Sequence, residues 1–128
     1  LLAGEHLLSA GSGPVIFCER GIRGFDTQTR NLLDLGAVAL LRHVYGQPVI
    51  VDPSHALGRR DLIVPMSAAG LSAGASGLFI EAHPNAAAAL SDGPQALGND
   101  ELQAIASMIA RWARATATTI VTETGTGS

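Results

Sequence analysis

Ionisable residues stand at the ends of three short apolar runs. Glu19 and Arg20 follow Val15-Ile16-Phe17-Cys18, Asp52 and His55 follow Val49-Ile50-Val51, and Glu81 and His83 follow Leu78-Phe79-Ile80, with Asp92 a little further on in Leu90-Ser91-Asp92-Gly93. Only 15% of the chain is charged, so this recurrence is poorly explained by scatter and points to one charged cleft. His55, Glu81 and Asp92 offer an imidazole and two carboxylates, a mixed nitrogen and oxygen set that suits a divalent ion such as manganese, iron or zinc. The spacing of the three is not itself a motif. A lone His or Asp is by default a solvated loop residue or a helix cap, and only the shared strand-end placement argues otherwise. Arg20, Arg59 and Arg60 are guanidiniums beside short glycine-containing loops. Gly58-Arg59-Arg60-Asp61 runs straight into a helix start, where backbone N–H groups and the helix dipole attract anions. A phosphate or carboxylate ligand is the reading, set against a surface pair between Arg60 and Asp61 that would contribute little.

Other reactive side chains read as structural. Cys18 lies inside its apolar run, where a free cysteine is most often a small buried hydrophobe. Nothing in its surroundings argues for a lowered pKa, so a nucleophilic role has no support. His83 precedes Pro84 and is expected to hold a loop or touch substrate. His6 and His43 fall on helices at surface-like positions, and Arg23, Arg30 and Arg42 lean towards solvated or structural roles. Met108, Ile109 and Trp112 read as helix-face packing.

The elements that must position these groups alternate. Runs over 14–19, 48–52 and 77–81 are rich in β-branched residues and nearly continuous in apolar character, the pattern of parallel strands covered on both faces. Between them, Leu32, Leu33, Leu35, Val38, Leu41 and Val44 recur at helical spacing. A second helix is expected from Asp61 through Ala73, with Pro65 tolerated near its start. A third begins at Asn99, with Asp100 and Glu101 suiting the positive helix end, and runs to about residue 115. With a partial helix over 1–9 the order is α-β-α-β-α-β-α, an α/β chain built of βα units. In such architectures functional groups gather at the carboxyl ends of the strands. The Thr- and Gly-rich stretch 116–128 is expected to be a flexible tail.

Length and composition bound what this cleft could serve. The 128 residues suffice for one domain, and 47% hydrophobic residues supply a packed core. A net charge of -3, with all eight basic residues arginine, gives no electrostatic reason to bind a nucleic-acid backbone. A single cysteine cannot close an internal disulfide, no leader pattern is present, and no apolar run approaches the roughly 20 residues of a membrane span. A cytoplasmic setting is expected. The chain opens with Leu1 rather than Met, inside an amphipathic helix, and reads as the carboxy-terminal portion of something longer.

Three strings resemble one family: Cys18-Glu19-Arg20-Gly21-Ile22-Arg23 with Thr29-Arg30-Asn31, Asp52-Pro53-Ser54-His55 with Gly58-Arg59-Arg60-Asp61, and Glu81-Ala82-His83-Pro84 with Ala89-Leu90-Ser91-Asp92-Gly93-Pro94-Gln95. They are similar to the 3-deoxy-D-arabino-heptulosonate 7-phosphate (DAHP) synthases, from about Val15 to Trp112, and most like the branch that is compact or fused to a chorismate mutase. That family is a (β/α)8 barrel of about 250 residues. The resemblance therefore implies that residues 1–115 supply the sixth, seventh and eighth strands and their helices, with the barrel incomplete in this chain. The absent portion would carry a cysteine as fourth metal ligand and the lysines that hold phosphoenolpyruvate.

For the matching positions, the resemblance implies that His55, Glu81 and Asp92 are metal ligands. Arg20 would hold the phosphate or carboxylate of phosphoenolpyruvate, with Glu19 also a substrate-binding residue. Asp52 and the loop from Ser54 to Asp61 would face the sugar phosphate, with Arg59 as the anion contact, and His55 and Asp52 would serve the chemistry. The implied reaction condenses phosphoenolpyruvate with erythrose 4-phosphate and releases phosphate, the first step of the shikimate route to aromatic amino acids. A divalent metal ion is the implied cofactor, and the full-length protein is expected to form a homo-oligomer. Two alternatives stand beside this reading: a 3-deoxy-D-manno-octulosonate 8-phosphate synthase, which shares a similar Glu-Ala-His-Pro segment but uses arabinose 5-phosphate, and a non-catalytic half-barrel. Three strands cannot close a barrel, so the isolated chain is expected to be inactive and prone to associate.

Overall fold

The structure, a computed structural model, describes the backbone of residues 1–123 and the side chains of residues 1–116. Helix α1 (Leu2–Ser9) leads into strand β1 (Phe17–Glu19), followed by helix α2 (Leu35–Ala39), which continues as a π-helical turn over Leu40–Val44. Strand β2 (Val49–Val51) is followed at once by helix α3 (Pro53–Leu57), a 3-10 turn over Arg60–Leu62 and helix α4 (Ile63–Ser72). Strand β3 (Gly77–Leu78), a 3-10 turn over Ala86–Ala88 and helix α5 (Asn99–Glu123) complete the order. The strands form one parallel sheet in the order β1-β2-β3, with Phe17 opposite Val49, Cys18 opposite Ile50, and Val51 opposite Leu78.

Val49 and Val51 on the central strand are fully buried, and they join Leu33, Val38, Ala56 and Leu57 in the main core. A second cluster of Ile63, Leu97 and Ile105 locks α5 onto α4. The expected cover on both sheet faces is not what the fold delivers. Consecutive parallel crossovers that step across the sheet in one direction are right-handed, so their helices land on one side. The opposite face is open within this chain: Ile16 is 61% exposed, Phe79 is 49% exposed, and Cys18, expected to be buried, is exposed as well. A continuous apolar run reports that both faces shun water, but not where the second cover comes from.

The strands are also shorter than their apolar runs, because pairing ends where a partner ends. Past Leu78 the amide of Phe79 still donates to Val51, but Glu81 and His83 bond Leu97 instead, so the chain leaves β2 and follows the segment before α5. Asp34 delays the expected helix over 32–44: its carboxylate accepts from the amide of Ala37 and sets the start at Leu35, while Leu32 bonds Ile22 in an antiparallel bridge. Helix α5 begins at Asn99 as expected and continues to Glu123, beyond the expected end near 115. Of the expected tail, residues 124–128 lie outside the described residues.

Helix α3 is the element that sequence patterning missed. Asp52 caps it, Pro53 occupies its first turn, and Gly58 ends it at φ 63°, a left-handed conformation that glycine adopts without strain. This one and a half turns sits at the carboxyl end of β2, where it carries His55.

Candidate functional site

Asp52 is the centre of the first cluster. Its side chain is fully buried at the end of β2, with Oδ1 accepting from the His55 backbone amide at 3.0 Å and Oδ2 lying 2.8 Å from His55 Nδ1. The same Oδ2 pairs with Arg20 Nε at 3.1 Å. An ionised carboxylate only accepts, so His55 Nδ1 is the donor in this pair and Nε2 is the ring nitrogen turned away from Asp52. That nitrogen faces Glu81 Oε2 at 3.8 Å. Glu81 is in turn held by α3, since the buried Ser54 hydroxyl accepts from the Glu81 amide at 3.0 Å. The Phe79 ring lies beside both side chains, 5.9 Å from the Arg20 guanidinium carbon and 6.5 Å from the His55 ring centre. Arg20 reaches Asp52 through Nε, and its half-exposed fork retains donors for an anion.

The second cluster is built around Asp92. Gln95 donates to Asp92 Oδ1 and accepts from Arg30 Nη2 at 3.2 Å, while Arg30 Nη1 stands 3.9 Å from Asp92 Oδ1. The two clusters are stitched together by neighbouring residues: Arg30 and Asn31 donate their amides to the carbonyls of Leu57 and Ala56 on α3.

The other residues singled out in the sequence fall into place around these two. Glu19 Oε1 accepts from the amides of Gly21 and Asp34, so its carboxylate shapes the loop after β1. Arg59 grips Asp61 through Nε and Nη2 at 3.1 and 2.7 Å and also donates to the Gln28 carbonyl. Arg60 pairs with Glu101 on α5 rather than with Asp61. Through these pairings Arg59 and Arg60 are held above the ordinary arginine pKa, and Asp61 and Glu101 below the ordinary carboxylate range. The Cys18 thiol is pushed up by partial desolvation and by the Asp52 charge, so it remains protonated at neutral pH. His83 Nδ1 accepts from the Asn85 amide at 3.0 Å and holds its own loop. His6 and His43 are exposed.

Among the described residues, no three His, Cys, Asp or Glu side chains are gathered closely enough to hold a metal ion. His55 and Glu81 come together, whereas Asp92 is engaged by Arg30 and Gln95. In donor type the three still suit a divalent ion, and a histidine whose Nδ1 is tied to a carboxylate has the usual build of a ligating imidazole. Sequence reasoning gave no role to Phe79 or Gln95, took Ser54 only as the start of the loop facing the sugar phosphate, and left Arg30 a solvated or structural role. The Asp-Pro pair that begins α3 and the Asp-Gly-Pro-Gln string were the available signals.

The profile described as the DAHP synthetase I family matches residues 1–118. The chain belongs to that family. Within it, the chain is 48% identical over 97 residues to a phospho-2-dehydro-3-deoxyheptonate aldolase of Thermotoga maritima, covering 76% of this chain and 29% of that protein. It is 39% identical over 111 residues to a 2-dehydro-3-deoxyphosphooctonate aldolase of Vibrio cholerae, covering 77% of this chain and 38% of that protein. The crystal structure of the Thermotoga maritima DAHP synthase superposes with a TM-score of 0.84 at 42% identity, over 90% of this chain and 34% of that one. The chain thus spans about a third of the length of the family members it matches.

Proposed function

We propose that this chain is the part of a metal-dependent DAHP synthase that carries strands six to eight of a (β/α)8 barrel, with residues 1–115 as its share. The full-length protein would condense phosphoenolpyruvate with erythrose 4-phosphate and release phosphate. Family membership and the identity to the Thermotoga maritima aldolase support the heptulosonate reaction over the octulosonate one, whose relatives match at 38 to 40%. The open sheet face and the outer edges of β1 and β3 support a barrel completed elsewhere, since closure removes edges. The observation that carries the site is Asp52 clasping His55 so that Nε2 faces Glu81.

In this reading His55, Glu81 and Asp92 hold the divalent ion, which when bound polarises the aldehyde oxygen. The chain's own residues do the positioning. Asp52 keeps the proton on His55 Nδ1 and orients the ring, and it fixes Arg20 through Nε so that the remaining donors of the fork meet the phosphate or carboxylate of phosphoenolpyruvate. Two anionic substrates repel each other, so guanidiniums that neutralise them contribute both orientation and electrostatic stabilisation. Arg59 would contact the sugar phosphate by exchanging its pairing with exposed Asp61 for the ligand. Glu19, fixed on two amides, would keep the Arg20 loop in shape.

The test is phosphate release by the full-length gene product with phosphoenolpyruvate and each aldose phosphate in turn, with and without Mn2+. Turnover with erythrose 4-phosphate that chelation abolishes is the expected result. Turnover only with arabinose 5-phosphate would replace this reading by the octulosonate one, and no turnover with either sugar would leave a non-catalytic half-barrel.

A further inference from the structure

We propose that Gln95 is a positioning residue that works as a neutral spacer between Arg30 and Asp92. This rests on Asp92 being a metal ligand, as argued above. Gln95 is fully buried, and both ends of its amide are used, the oxygen by Arg30 and the nitrogen by Asp92. The backbone around it is equally committed. Asp92 sits at φ 56°, the one non-glycine residue with positive φ among the described residues, and its carbonyl accepts from the amides of Gln95 and Ala96. A Cβ on Gly93 would stand 2.6 Å from the Ala86 carbonyl oxygen, so the turn is closed against a neighbouring segment as well. A left-handed aspartate persists only where its surroundings over-determine it.

The consequence lies in the 3.9 Å between Arg30 Nη1 and Asp92 Oδ1. A guanidinium and a carboxylate left to themselves close to a two-point pair at about 2.8 Å. Such a pair would occupy the carboxylate oxygens that a cation needs. Gln95 takes the Arg30 Nη2 donor onto its own oxygen and gives Asp92 a neutral N–H, which leaves the rest of the carboxylate uncommitted. Gln95 thus decides whether Arg30 stays at 3.9 Å or closes onto the oxygens that a cation would use.

The experiment titrates the metal-free full-length gene product with Mn2+ alone, by calorimetry and by the Mn2+ electron paramagnetic resonance spectrum, alongside its melting midpoint. Gln95→Met and Gln95→Leu are two apolar replacements of similar bulk, and either one that folds is sufficient. Each is expected to weaken Mn2+ binding about 10- to 100-fold and to change the spectrum. Adding Arg30→Met to either is expected to recover most of the loss, because the competing guanidinium is gone. Wild-type affinity in the single variants overturns the proposal, as does a loss that the second substitution does not recover or that only tracks a fall in melting midpoint. A wild-type protein that takes up no Mn2+ overturns the metal reading and this one together, an outcome distinct from the others.

Discussion

The Asp52 carboxylate holds His55 twice, by the backbone amide at 3.0 Å and by ring Nδ1 at 2.8 Å, from a position with no solvent exposure. The first bond caps α3, and the second orients the ring that α3 carries. One side chain therefore fixes both where the imidazole is and which nitrogen it offers.

Asp52→Asn keeps the shape but can place an amide N–H against Nδ1 and removes the charge beside Arg20. It is expected to lower turnover or metal affinity of the full-length protein about 10- to 100-fold. Steady-state kinetics together with Mn2+ titration checks this, and wild-type values would show that the clasp is dispensable.

Ser54→Ala removes the buried acceptor of the Glu81 amide and leaves that amide without its partner. A destabilisation of about 1 to 3 kcal/mol is expected, the range for an unsatisfied buried donor. Urea denaturation measures it. A midpoint unchanged from wild type would mean that the Glu81 amide finds another acceptor.

The Arg60–Glu101 pair should weaken in acid. Glu101 titrates below its ordinary value because it accepts from Arg60 and from the Gly98 amide, so its contribution is complete above the unfolded value and lost as pH falls through the lower folded one. Arg60 is exposed and Glu101 partly so, which keeps the effect small and salt-sensitive. Urea midpoints of wild type and Glu101→Gln between pH 7 and pH 3 are expected to differ at neutral pH and converge in acid. A gap that stays constant would assign the stabilisation to something other than the charge.

The isolated chain is expected to self-associate through its open sheet face and edges. Sedimentation should show concentration-dependent oligomers, reduced when Ile16 and Phe79, 61% and 49% exposed, are both replaced by Ser. A stable monomer would count against the half-barrel reading.

What the sequence disclosed was set by how local each signal is. Parallel strands and the strand-end clustering of Asp52, His55 and Glu81 follow from apolar runs that stop at charged residues. Strand length did not, because Phe79 pairs with Val51 while Glu81 has already turned to Leu97, a choice made by a partner far along the chain. Helix α3 is too short for periodicity and is visible only through its cap. The exposure of Cys18 follows from both crossovers lying on one side, which no window around Cys18 contains. Gln95 stood only as the last residue of a family-like string, since its partner Arg30 lies 65 residues earlier.

Arg59 and Arg60 are adjacent, yet Arg59 reaches back 31 residues to the Gln28 carbonyl while Arg60 reaches forward 41 residues to Glu101. Tethers that close loops of such length in opposite directions form only after much of the chain has been collected. The connection they anchor should be absent from the folding transition state. Arg60→Met should accordingly hasten unfolding in a stopped-flow experiment while leaving the refolding rate nearly as it was. The order in which the chain sets and lets go is thereby written into two neighbouring arginines.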